Sequence, residues 1–191
     1  NFEKYTHFIF PSFSGELSDK TIQKINSWIE KGGTLILFRE AVNWAKENQL
    51  VEIDILENEL KAENINFINR KNFKTAQSVS GAIFKANLDR THPINFGIEN
   101  NSIALFRNTN IFLKPDDQSY NNPIKYDKNP LISGYISKEN LKTLSNTVPF
   151  KIESTGDGKI IIMTDNTNFR GYWIGTQHFM ANMIFYSQFM N

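Results

Sequence analysis

The side chains of this protein that could do chemistry are few and unevenly spread. Three histidines, His7, His92 and His178, are the groups whose ordinary pKa lies near neutrality. Glu40 follows the wholly apolar run Thr34-Leu35-Ile36-Leu37-Phe38, at the carboxyl end of a strand, where open α/β sheets form ligand clefts. It reads either as a cleft carboxylate or as a first-turn glutamate favoured by a helix dipole. The densest concentration lies between Asp165 and Thr176, where Asp165, Asn168, Arg170, Tyr172, Trp173 and Thr176 fall within twelve residues. Such polar and aromatic density after an apolar strand suits a binding loop. It also suits a structural corner, with Arg170 paired to a carboxylate while Phe169 and Trp173 cap the core. His92, held before Pro93, is a ligand or acid/base group in one reading and a loop-fixing hydrogen-bond partner in the other. Glu40, His92, Asp165, Asn168, Arg170, Trp173 and Thr176 therefore outline the candidate cleft.

Other chemistries are excluded by residue type. The chain has no cysteine, which removes disulfides, thiolate metal sites and thiol nucleophiles together. Zinc peptidases use an H-x-x-E pair, but three positions after the histidines stand Phe10, Asn95 and Ala181. Ser12 and Ser14 lack the elbow that activates a serine, and Pro11-Ser12-Phe13-Ser14-Gly15 lacks the glycine density of a phosphate loop. The formal charge is +1 with no basic run, so the footprint required by a nucleic-acid partner is missing. The longest apolar stretch, Lys159 to Met163, is too short to span a bilayer.

The elements that must position these residues follow from periodicity. With 191 residues, 40% of them hydrophobic, the chain forms one domain able to bury a core without staples. Thr6–Phe10 reads as a buried strand. Ser18 caps a helix carrying Ile22, Ile25, Trp28 and Ile29, which stops at Gly32-Gly33. The apolar strand over 34–38 is followed by a helix from Ala41 to about Gln49. Strand and helix in that alternation predict a parallel sheet. An irregular excursion of strand and helix occupies about 51–80, with Leu60, Ile65, Phe67 and Ile68 scattered through it. Strands are predicted over Ala82–Leu88 and Leu131–Ile136, with a hairpin joining Ser102–Phe106 to Ile111–Leu113 through Arg107-Asn108-Thr109-Asn110. A helical turn runs from Ser137 through Leu144. The pattern closes on a hairpin, Val148–Ile152 with Lys159–Met163, and a helix over Thr176–Gln188, apolar nearly all round and therefore predicted to pack deeply.

Several segments taken together resemble the C-terminal domain of Bacteroidetes-type zinc carboxypeptidase-related proteins. They are Trp28–Ile36, Gly81–Phe84, Leu88–Ile94, Asn129–Ile136 and, most specifically, Asn168-Phe169-Arg170-Gly171-Tyr172-Trp173-Ile174-Gly175-Thr176. The resemblance implies a flavodoxin-like, class I glutamine amidotransferase-like α/β fold: a mostly parallel sheet, flanking helices and a β-hairpin near the C-terminus. It implies that the chain is a piece of a longer polypeptide exported to the periplasm or beyond, with its signal peptide upstream. The expected partner is an upstream peptidase domain, which would carry the only zinc; this segment is expected to hold no cofactor and to touch at most peptide or glycan. The departure lies at the elbow. An amidotransferase carries a glycine-flanked cysteine there, whereas this chain reads Arg39-Glu40-Ala41, which excludes glutaminase chemistry.

Overall fold

Every residue from Thr34 to Phe38 is apolar or β-branched, so this strand is stable only where both its faces are covered. The computed structural model describes residues 1–57 and 65–190. Its first half runs β1 (His7–Phe10), α1 (Asp19–Glu30), β2 (Thr34–Phe38), α2 (Ala41–Glu47) and α3 (Phe67–Ala76). Then come β3 (Ala82–Leu88), β4 (Ser102–Arg107), β5 (Ile124–Gly134), α4 (Lys138–Leu144), β6 (Phe150–Thr155), β7 (Gly158–Met163) and α5 (Ile174–Phe185).

The principal sheet has the order β1-β2-β7-β6. β1, β2 and β7 are parallel, and β6 is joined to β7 as an antiparallel hairpin. β2 is buried throughout, and its side chains alternate between two cores. Leu35 and Leu37 join α1 and α2 on one face, while Ile36 and Phe38 join α5 and the second sheet on the other. This is the expected α/β architecture, with a mostly parallel sheet, flanking helices and a closing hairpin. Ser18 caps α1 through its side chain, and Gly32 ends it at φ 104°, where a side chain would be strained.

The structure departs from the sequence expectations, or goes beyond them, at four places. First, β1 is the sheet edge rather than a buried strand, and Ile9 is 37% exposed. Second, β3, whose sheet the sequence left open, does not extend the principal one. It lies between β4 and β5 in a separate antiparallel sheet, with register shifts against β5. Third, the hairpin expected between Ser102–Phe106 and Ile111–Leu113 does not form. Arg107 ends β4 and turns inward to buried partners, and Leu113 instead bridges Ile55 and Val148. Fourth, α5 is not packed all round, since Ile174 and Phe185 are 71% and 72% exposed. The excursion after α2 forms one bridge at Ile55 and the exposed helix α3; Leu60 lies outside the described residues.

Candidate functional site

The turn from β2 into α2 is tight and strained. Arg39 donates its backbone N–H to Met163 O (3.0 Å), which extends the β2–β7 ladder by one residue, and then adopts φ 53°. A non-glycine residue there costs about 1–2 kcal/mol, and the turn throws Glu40 out beyond the carboxyl edge of the sheet as the residue that caps α2. Glu40 is half-buried and accepts a hydrogen bond from Asn43 Nδ2 at 3.3 Å.

Glu40 and Asn43 line a cavity of about 440 Å³ together with Ile55, Leu56, Glu57, Asn110, Ile111, Phe112 and Asn140. That volume falls in the range of small-molecule sites. Its amides are braced from behind: Asn110 donates to Gln77 O (2.7 Å) and accepts from Val79 N (2.8 Å), and buried Asn140 also donates to Gln77 O. The wall is tied to the floor where Leu56 N donates to Phe112 O at 2.7 Å. Among the described residues the lining holds two carboxylates and no Lys or Arg. By charge it disfavours anions and suits hydroxyl or N–H donors.

Behind this wall sits a polar cluster that sequence reasoning missed. Arg107, from β4, donates through Nη1 to Asp165 Oδ1 (2.7 Å), Tyr126 Oη (2.9 Å) and Thr164 Oγ1 (2.9 Å), and through Nη2 to Ile111 O. The Tyr126 hydroxyl donates in turn to Asp165, 2.7 and 2.8 Å from its two oxygens. Arg107 and Asp165 are entirely enclosed, and the guanidinium also stands 5.1 Å from the Phe112 ring centre. Burial pushes the Tyr126 phenol well above its usual range, so it stays protonated and donates. Burial likewise lifts the Asp165 carboxyl, against the pull of the Arg107 charge. Burial opposes the charge of Arg107, but Tyr126 and Asp165 outweigh it and hold the guanidinium above its ordinary value. The cluster has no opening of its own. It fixes Ile111 and Phe112, and so shapes the cavity from behind.

The seven candidate residues do not share one cleft, since the cavity beside Glu40 has none of the other six in its lining. Asp165 is consumed by Arg107. Thr176 is buried and donates to Thr167 O, while Thr167 donates to Asn168 Oδ1 at 2.8 Å. Trp173 donates to Ala104 O at 3.3 Å, Asn166 N donates to Phe106 O at 2.9 Å, and the Phe169 ring stacks on Phe106 at 3.7 Å. These bonds make the Asp165–Thr176 loop a corner fastened to β4. Arg170, at the exposed tip, lies over the Phe169 ring with no carboxylate partner among the described residues.

His92 is 1% exposed, faces the rings of Tyr120 and Phe150, and accepts Ile94 N–H at Nδ1 (3.1 Å). Among the described residues its Nε2 has no hydrogen-bond partner. Burial drives its pKa down to about 4, against a weaker pull from Asp89, so the ring is neutral at pH 7. Of the other histidines, His7 bonds Thr6 and Ser187, and His178 is exposed on α5. Among the described residues, no group of three His, Asp or Glu side chains is arranged to hold a metal ion.

Nothing in the sequence singled out Arg107, which reads as a hairpin-loop residue until β3, β4 and β5 are assembled. Asn110 and Asn140 were equally hidden in so asparagine-rich a chain.

No protein-family profile and no curated protein matches the sequence. Solved structures do resemble it in fold. A ThuA-like protein from Bacteroides uniformis superposes with a TM-score of 0.50 at 10% identity, covering 96% of this chain and 69% of that one. A cytoplasmic protein from Salmonella typhimurium gives 0.54 at 11% identity, covering 99% and 73%. An exo-β-1,4-mannosidase from an Opitutaceae bacterium gives 0.45 at 14% identity; the chain spans 26% of that enzyme, a likeness too loose to carry an argument. At such identities the likeness speaks to fold alone. With the strand order above, it establishes a flavodoxin-like α/β fold, with a mostly parallel sheet and flanking helices.

Proposed function

We propose that the chain is a non-catalytic accessory domain of a larger, exported zinc carboxypeptidase-like protein, packing against the catalytic domain or holding substrate for it. The observation that carries this reading is the elbow after β2. The position at which amidotransferase-like folds place their nucleophile carries Glu40, already bonded to Asn43, with Arg39 before it and no cysteine at the turn. The segments ending in Asn168–Thr176 support the assignment to a metallopeptidase parent, whose zinc would be bound upstream. An immunoblot of fractionated source cells, with an antibody raised to this domain, tests it. The expected product is far larger than 22.1 kDa and lies in the envelope or the medium. A stable product near that mass would sink the proposal.

A second reading is favoured by the cavity beside Glu40: a binding module for a neutral, hydroxyl-rich ligand such as a glycan or a peptide segment. Carboxylates and braced amides, with no cation among the described lining residues, suit such groups. Thermal-shift screening against neutral oligosaccharides and peptides is the test, because a ligand bound only by the folded state raises the unfolding temperature. The shift should vanish in Glu40→Gln. A shift that survives that change would remove the cavity from consideration.

A further inference from the structure

From Gly171 to Asn191 the sequence contains no Asp, Glu, Lys or Arg, yet this stretch is not buried as a whole. Along α5 the exposed positions include Ile174, His178, Ala181 and Phe185. Their spacing of four, three and four places them in one narrow stripe of the helix, the spacing of a helix-to-helix seam. Just beyond the helix the stripe continues into Phe189, 57% exposed, and beside it lies Phe96, 59% exposed and 4.9 Å from the Tyr186 ring. At roughly 150–250 Å² for a large side chain, the exposed fractions of Phe96, Ile174, Phe185 and Phe189 amount to about 400–600 Å² of surface. That lies at the upper part of the roughly 300–600 Å² spanned by the largest apolar patch of an ordinary monomer, a patch that is often functional. With the polar residues between and around them, it approaches the ~800 Å² that each partner contributes to a stable interface.

We propose that this face of α5 binds the same face of a second copy of the chain, the two helices crossing antiparallel about a two-fold axis. Two features select a second copy over another occupant. A two-fold interface sets a surface against itself, and α5 itself carries no charged residue to repel its own image. The stripe is also complementary in size to its own reverse. An axis passing between His178 and Ala181 sets each Ile174 against the partner's Phe185, and each His178 ring over the small side chain of the partner's Ala181. The register thus places bulk against bulk at the ends and bulk against a gap near the centre. The inference is independent of the function proposed above, because it uses neither the cavity nor the elbow.

Light scattering during size-exclusion chromatography reads the mass directly. The expected value is twice the 22.1 kDa of one chain at tens of micromolar, with Phe185→Glu and Ile174→Lys each reducing it to one chain. Both side chains are exposed, so circular dichroism and the unfolding midpoint should stay at the parent values and show that the fold is intact. Combining Ile174→Lys and Phe185→Glu in one chain sets opposite charges together twice across the axis, and the dimer should return. A parent protein with the mass of one chain would overturn the proposal and leave the face to a different domain. A dimer that persists in both single variants, or a double variant that stays monomeric, would overturn the pairing.

Discussion

Arg107 and Asp165 meet with Nη1 2.7 Å from Oδ1, and neither side chain keeps any contact with solvent. They come from different sheets: Arg107 is the last residue of β4, and Asp165 lies just past β7. Their ion pair, closed by Tyr126 from β5, is the polar rivet between the antiparallel sheet and the parallel one. It sits directly behind the wall of the cavity that Glu40 lines.

Breaking that rivet on one side should cost far more than removing both sides. Arg107→Met leaves a buried carboxylate without its counter-charge and should lower stability by about 3–5 kcal/mol. Adding Asp165→Asn should recover part of the loss, because the uncompensated charge goes with it. Urea unfolding of the parent, both single variants and the double variant measures the coupling. Additive losses would mean that the two residues act separately.

His92 should make stability depend on pH. Its folded pKa, near 4, lies below the ordinary 6.5 because burial disfavours the charged ring. Between those values the unfolded chain binds the proton and the folded chain does not, so stability falls as pH drops from 6.5 towards 4 and His92 adds no further loss below that. The whole interval is worth on the order of 3 kcal/mol. His92→Asn keeps an acceptor for Ile94 N–H and should flatten this part of the profile, measured as urea midpoints at pH 7 and pH 4.5. Equal slopes in parent and variant would refute the assignment.

Gln49 should be replaceable to advantage. α2 ends with Leu50 N donating to Ala45 O and Gln49 N to Lys46 O, while Gln49 itself sits at φ 56°. That is the Schellman arrangement, whose left-handed residue is usually glycine. Gln49→Gly should raise stability by about 1 kcal/mol, read as an increase in Tm; a decrease would show that the Gln49 side chain contributes more than the strain costs.

The two ends of the Asp165–Thr176 loop should respond oppositely to truncation. Trp173 donates to Ala104 O and is half-buried, so Trp173→Ala should cost about 2–4 kcal/mol. Arg170 is exposed, and Arg170→Ala should stay within about 0.5 kcal/mol of the parent. A large loss at Arg170 in denaturant titrations would contradict the corner geometry.

Elements with strong local signals were legible in the sequence. Ser18 and Gly32 bound α1, unbroken apolar residues announce β2 and β7, and a glycine turn joins β6 to β7, because caps, periodicity and turn chemistry are encoded within a few residues. The parallel sheet followed from their alternation. Pairings between distant segments carry no such local mark. Proximity in the chain suggests a hairpin of β4 with Ile111–Leu113, whereas the buried charge of Arg107 requires Asp165, far along the sequence, to meet it. The same limit applies to the site. Sequence alone picked out Glu40 by its place at a strand end and the Asp165–Thr176 loop by its composition. Only tertiary packing decided that Asp165 and Thr176 serve as fastenings, that His92 is held neutral, and that Glu40 faces a cavity walled by Asn110, Phe112 and Asn140. Whether a polar residue fastens the fold or faces a ligand depends on which partner reaches it first, and that partner is supplied by the folded chain.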